Sequence, residues 1–95
     1  MKRYSIVVDD MTRCYVCGTT RDIHIHEICY GTANRKKSIK HGLCIGLCSK
    51  HHNMSNEGVH ANKALDIELK RMAQRKFEEK HTREEFMREF GRNYL

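Results

Sequence analysis

Apolar and polar positions along the chain fall into two regimes. In the first half they alternate in short runs; from residue 61 onward they recur every three or four residues. Residues 3–8 make a β-branched run closed by Asp9-Asp10, which predicts a strand and a turn. Ile23-His24-Ile25-His26-Glu27-Ile28 alternates with period two, so a strand here carries Ile23 and Ile25 on one side and His24, His26 and Ile28 on the other. Leu43-Cys44-Ile45-Gly46-Leu47 alternates again and is predicted to pair antiparallel with it, the polar and basic residues 31–41 forming the loop between. Cys48-Ser49-Lys50-His51-His52-Asn53 then enters a short helix or turn, and residues 54–58 read as a loop from their Asn, Ser and Gly.

The second regime predicts helices. Ala61, Leu65, Leu69, Met72, Ala73 and Phe77 mark one face of an amphipathic helix whose other face carries Lys70, Arg71, Glu78 and Glu79. Thr82-Arg83-Glu84-Glu85 is a capping box, opening a last helix with Phe86, Met87 and Phe90 inward and Gly91 as its stop. The fold class expected is α+β. One domain spans residues 1–95, with a ligand-rich β-hairpin in 1–60 and two C-terminal helices in 61–95.

Composition changes the picture in one respect. Five Cys and seven His outnumber three Phe and four Tyr, and Trp is absent, so a staple rather than a large apolar core is expected to hold 95 residues together. No run approaches the length of a membrane span, and the first ten residues have too short an apolar stretch for a secretory signal. A cytoplasmic protein is therefore expected, with no membrane partner. An odd number of cysteines in a reducing compartment points to thiolate metal ligation rather than to disulfides.

The net charge of +6 is unevenly spread: residues 1–31 are neutral, residues 32–60 carry five basic side chains against one acidic, and residues 61–95 carry nine against seven. The middle excess, Arg35, Lys36, Lys37, Lys40 and Lys50, is interleaved with the richest run of Cys and His. Such a patch is an electrostatic footprint for phosphate backbones, although a solvated lysine-rich loop has the same composition.

Two constellations carry chemistry. Cys14-x-x-Cys17 and Cys48-x-x-His51 are two short-spaced pairs thirty residues apart, the usual way to assemble four tetrahedral ligands for a structural Zn²⁺. Gly18 lets the first knuckle turn both sulfurs to one point. Cys29 and Cys44 sit in or beside strands and read as small buried hydrophobes, and His41 and His81 as surface residues. The second constellation is His24, His26, Glu27, His52 and His60. With His51 assigned to zinc, His52 must point elsewhere, and a strand histidine and a helix histidine can converge on a second cation.

The order Cys14-x-x-Cys17, His26-Glu27-Ile28, Leu47-Cys48-x-x-His51-His52, with Gly31, Asn34-Arg35-Lys36-Lys37-Ser38, Gly42 and Gly58-Val59-His60 between and after, resembles the HNH endonuclease family. The likeness is to its zinc-stapled ββα-metal form in bacteriophage and prophage proteins, and it covers about residues 12–78. It implies hydrolysis of a DNA phosphodiester with one divalent cation, Mg²⁺, Mn²⁺, Ni²⁺ or Zn²⁺. His26 falls on the family's first metal ligand, Glu27 on its general base, His52 on the ligand opening the helix, and His60 on a further ligand; His24 is a second candidate base. Arg35, Lys36, Lys37, Lys40 and Lys50 would hold flanking phosphates. The chain departs from the family in having a Glu where the base is a histidine, and in having no clear middle asparagine: Leu43 is nearest, with Asn34 and Asn53 the other candidates. These departures leave open a catalytically inactive, zinc-stapled nucleic-acid-binding or protein-binding phage factor, and a homo-oligomer.

Overall fold

A computed structural model describes residues 3–54 and 58–95. The elements run β1 (Ile23–Glu27), α1 (Asn34–His41), β2 (Cys44–Cys48), one wide π-type turn (Lys50–Met54), α2 (Lys63–Phe77) and α3 (Arg83–Phe90). β1 and β2 form a two-stranded antiparallel sheet in which His26 faces Ile45 and His24 faces Leu47. Of the loop expected over residues 54–58, positions 55–57 lie outside the described residues. Among the described residues no helix is long and apolar enough to cross a membrane.

Every residue of β2 is buried, so both its faces and its outer edge must be covered. The edge is covered by the N-terminal segment. The carbonyls of Gly42, Cys44 and Gly46, which point away from β1, accept from Ile6 N at 2.9 Å, Ser5 Oγ at 2.7 Å and Tyr15 N at 2.8 Å. The strand expected over residues 3–8 does not form. Ser5 Oγ also accepts from Val7 N and Val8 N at 3.0 Å, a local turn that competes with ladder geometry. Donors drawn from residues as far apart as Ser5 and Tyr15 cannot make a continuous strand, but they do close an edge that would otherwise be open for pairing.

This covering requires a glycine at position 46. A Cβ there would meet the backbone carbonyl of Arg13 at 2.7 Å and that of Met11 closer still. The segment entering the Cys14 knuckle thus lies directly on β2, which brings the knuckle to the strand that ends in Cys48. Inside the knuckle Gly18, at φ 78°, donates to Cys14 O at 2.9 Å.

The segment expected as a basic loop, residues 31–41, is instead largely α1. Its anchor is not an apolar stripe but the buried Ser38, whose hydroxyl donates to Cys29 O at 2.6 Å and accepts from Cys29 N at 3.1 Å. The helix closes at Gly42, with Leu43 N donating to Ser38 O at 2.8 Å. On its other side α1 serves α3. Lys37 Nζ donates to Glu89 O at 2.6 Å and Asn34 Nδ2 to Phe90 O at 3.4 Å, satisfying carbonyls at the end of α3 with a cation at its negative pole.

α2 and α3 form as expected. Asn62 caps α2, and Thr82 and Glu85 make both halves of the capping box on α3. Ile28, Leu43, Ile45, Leu47, Val59, Leu69, Phe77, Phe86 and Phe90 form one buried cluster, each large side chain contributing about 1.5–3 kcal/mol. Four particulars differ from expectation. Met87 is exposed, because the i, i+4 pair Phe86 and Phe90 already fills the inward face of a two-turn helix. Ala61 precedes α2 and is exposed. Lys70 is turned inward to Asp66 at 2.9 Å. His41 is half-buried, bonded to Glu89 at 2.6 Å and packed edge-on to Phe77, whereas His81 is exposed as expected, stacked on Phe77.

Gly46→Ala tests the contact between knuckle and sheet. Overpacking against two backbone carbonyls is expected to lower stability by about 1–3 kcal/mol in urea titration, with weaker zinc retention. An unchanged midpoint would contradict the close approach.

Candidate metal centres

Cys14, Cys17, Cys48 and His51 converge, with one ligand atom from each lying within 4.8 Å of the others. The separations are informative. Two sulfurs about 2.3 Å from a tetrahedral zinc stand about 3.8 Å apart, and a sulfur and an imidazole nitrogen about 3.6 Å. Cys17 Sγ lies 3.8 Å from Cys48 Sγ, and His51 Nδ1 lies 3.7 Å from Cys14 Sγ and 3.3 Å from Cys48 Sγ. The four residues can therefore hold one metal ion, and both donor set and spacing fit Zn²⁺. Burial alone would raise the Cys14 thiol, but the backbone N–H groups of Cys48, Cys17 and Val16 bring it down to about 6, which favours the thiolate a metal needs. Burial pushes Cys29 up to about 12 and Cys44 up to about 11, in keeping with their reading as inert buried thiols.

His26, His52 and His60 form a second group, again within 4.8 Å of one another through one ring nitrogen each. Three elements deliver them. β1 carries His26, which is 2% exposed; the turn after Cys48 carries His52. The segment holding His60 is clipped to that turn by Val59 N to His51 O at 2.8 Å and His60 N to His52 O at 3.4 Å, with Val59 buried in the core. His52 Nε2 and His60 Nε2 stand 3.3 Å apart, the separation of two nitrogen ligands about 2.05 Å from one tetrahedral ion.

Two observations bear on what this group can bind. His26 Nε2 is buried and has no hydrogen-bond partner among the described residues, a costly state for a polar atom unless something else satisfies it. Burial, together with neighbouring His52 and His60 and the charges of Lys70 and Arg35, pushes the His26 imidazole down to about 3; His52 is also lowered, by burial and by His60 and His24. Both rings therefore present neutral lone pairs, the form that coordinates metal. The group opens into a cavity of about 310 Å³ lined by Ile25, His26, Glu27, Tyr30, Arg35, His52 and His60.

The other predicted residues fall around this cavity unevenly. Glu27 lies on its wall between Arg3 at 3.6 Å and Arg35 at 3.8 Å. His24 is exposed and places Nδ1 3.2 Å from His52 Nδ1. Lys36 and Lys50 are exposed, and Lys40 is shared with Glu89 at 3.7 Å, while Lys37 is committed to the end of α3. Leu43 is fully buried in the core and Asn34 faces α3, so neither stands at the cavity; the side chain of residue 53 is outside the described set.

Sequence reasoning missed Tyr30 and its support. The Tyr30 ring packs edge-on against His60 at 5.1 Å and tilted against His26 at 5.9 Å, while Lys70 Nζ sits 4.3 Å above it, held by Asp66. An i, i+4 Asp-Lys pair was visible in the sequence. Its inward orientation was not.

Compared with known proteins, the chain matches no family model, no curated protein and no solved structure.

Removing the metal tests the first centre. The purified protein is expected to carry one tightly held zinc, and chelation to destabilise the N-terminal half, because the four ligands tie the knuckle, the end of β2 and the following turn together, adding to the backbone contact of Tyr15 with Gly46. Cys48→Ala should lose that zinc, while His52→Ala should retain it. Equal zinc content in wild type and Cys48→Ala, read by elemental analysis, would contradict the assignment.

Proposed function

We propose that the chain is an HNH-like, metal-dependent DNA endonuclease of phage or prophage type, with Cys14, Cys17, Cys48 and His51 holding a structural zinc in a ββα-metal frame. It would act in the cytoplasm of the host. The observation that carries this reading is the buried, unpartnered Nε2 of His26 beside His52 and His60, at the wall of a cavity that also holds a carboxylate and an arginine. A structural site has no need of a second, open group of imidazoles. A divalent cation held there would serve phosphodiester hydrolysis.

A divalent cation held by His26, His52 and His60 would supply electrostatic stabilisation of the charge that develops on the phosphate and the departing 3′ oxygen. The remaining work falls to the protein. Glu27, on the cavity wall, accepts the proton as water attacks phosphorus. The P–O3′ bond breaks in line, and the 3′ oxygen leaves with a proton from solvent. Arg35, 63% exposed in its side chain and beside Glu27, is placed to hold a non-bridging phosphate oxygen. Lys36, Lys40 and Lys50 add sequence-independent contacts to neighbouring phosphates.

A second reading has a specific observation in its favour. Glu27 is paired with two arginines, and no asparagine stands at the cavity among the described residues to orient a base. A chain with this frame and without turnover would be a zinc-stapled nucleic-acid-binding or protein-binding factor.

Supercoiled plasmid incubated with the protein and Mg²⁺, Mn²⁺ or Ni²⁺ separates the two. Metal-dependent nicking is expected, reduced about 100-fold or more by His52→Ala and by Glu27→Ala. A gel shift without nicking under every metal would contradict the endonuclease reading and favour the binding factor.

A further inference from the structure

One close contact at the second centre has no part in the reading above. His52 presents both ring nitrogens to other imidazoles: Nε2 lies 3.3 Å from His60 Nε2, and Nδ1 lies 3.2 Å from His24 Nδ1. A histidine that coordinates through one nitrogen carries its proton on the other, and that N–H needs an acceptor to fix the tautomer and the plane of the ring. With Nε2 turned toward His60 and His26, the proton belongs on Nδ1, and the atom facing it at hydrogen-bond distance is His24 Nδ1.

We infer that His24 is a positioning residue, whose Nδ1 accepts a hydrogen bond from His52 Nδ1–H and so aims His52 Nε2 at the site shared with His26 and His60. This rests on the reading of those three histidines as a cation site. Three features support it. Period-two alternation places His24 on the same side of β1 as His26, so one short strand carries both a ligand and the group that orients another ligand. The His24 and His52 ring centroids are 5.2 Å apart, close to the most that a 3.2 Å contact between two ring nitrogens allows, so the two Nδ1 atoms point at one another with the ring planes twisted by 72°. His24 is exposed and is not one of the residues lining the cavity, so it acts on the ligand and not on anything the cavity holds.

The arrangement also accounts for the turn after Cys48. His51 and His52 are consecutive, and the first is bound to the sulfur site through Nδ1. Backbone geometry alone leaves the His52 ring free to rotate about its side-chain bonds. A second imidazole on β1, opposite Leu47 in the register, supplies the missing restraint.

The test reads cation affinity and not catalysis. Co²⁺, which suits imidazole donors, is titrated calorimetrically into zinc-loaded protein. Wild type is expected to bind one Co²⁺, His26→Ala none, and His24→Ala one Co²⁺ about 10–100-fold more weakly. His24→Asn, whose Oδ1 occupies roughly the place of Nδ1, should recover most of the loss, whereas His24→Gln, with its acceptor one bond further out, should not. Zinc content and circular dichroism confirm that each variant is folded, and the Asn and Gln variants differ by one methylene, so their comparison survives any general effect of substitution. Unchanged affinity in His24→Ala, or equal loss in Asn and Gln, would overturn the inference. So would two Co²⁺ ions per chain with one lost in His24→Ala, since His24 would then be a ligand. Absence of Co²⁺ binding in wild type would overturn the cation-site reading itself, and this inference with it.

Discussion

The spacing of four ligands governs this chain more than any hydrophobic contact does. Cys48 is the last residue of β2, and His51 lies on the turn that follows, so bringing both to the knuckle of Cys14 and Cys17 fixes where the sheet ends and which way the chain leaves it. Gly46 permits the approach by letting the backbone of residues 11–13 lie against the strand. Once His51 is turned to the sulfurs, its neighbour is turned away from them. His52 then meets His26 from β1 and His60 from the segment clipped beneath the turn. The second group of histidines is thus a geometric consequence of the first, and the short sheet carries one member of each on adjacent strands.

Around that constraint the stabilising elements are modest and polar as often as apolar. The aromatic cluster of Phe77, Phe86 and Phe90 closes the helical end. Gln74, buried in α2, ties down the tail by donating to Asn93 Oδ1 at 2.8 Å and accepting from Tyr94 N at 2.8 Å. Ser38 holds α1 to Cys29 in the segment that follows β1. Hydrogen bonds of this kind contribute about 1 kcal/mol each when made and cost more when a buried partner is stranded, so they specify positions without adding much stability. A metal ion at Cys14, Cys17, Cys48 and His51 would add what a domain built this way lacks.

Legibility in the sequence followed the range of each interaction. The Cys knuckle, the period-two strands, the amphipathic α2 and the Thr82–Glu85 capping box are written within a few residues of chain, and each forms where expected. The segment 3–8 and α1 are not local in that sense. The first is β-branched but spends Ile6 N on Gly42 O and Ser5 Oγ on Cys44 O; the second is nearly all polar, and its helix is held by one serine and by lysine and asparagine contacts to α3, 52 or more residues away. The same distinction holds at the site. Residue type and spacing gathered His24, His26, Glu27, His52 and His60, and the resemblance marked His26, His52 and His60 among them as ligands, whereas Tyr30 and the inward Asp66–Lys70 pair come from the packing of α2 against the segment after β1, which no local pattern records.

The central claim is that twelve Cys and His side chains resolve into two separate cation sites and a remainder that binds nothing. Anomalous diffraction from crystals of the zinc-loaded protein soaked in Ni²⁺ tests it most directly. The account predicts two peaks per chain: zinc bound by Cys14, Cys17, Cys48 and His51 at about 2.0–2.3 Å, and nickel at about 2.0–2.1 Å from ring nitrogens of His26, His52 and His60. A single peak at the sulfurs, with His26 Nε2 bonded instead to a protein group, would contradict it.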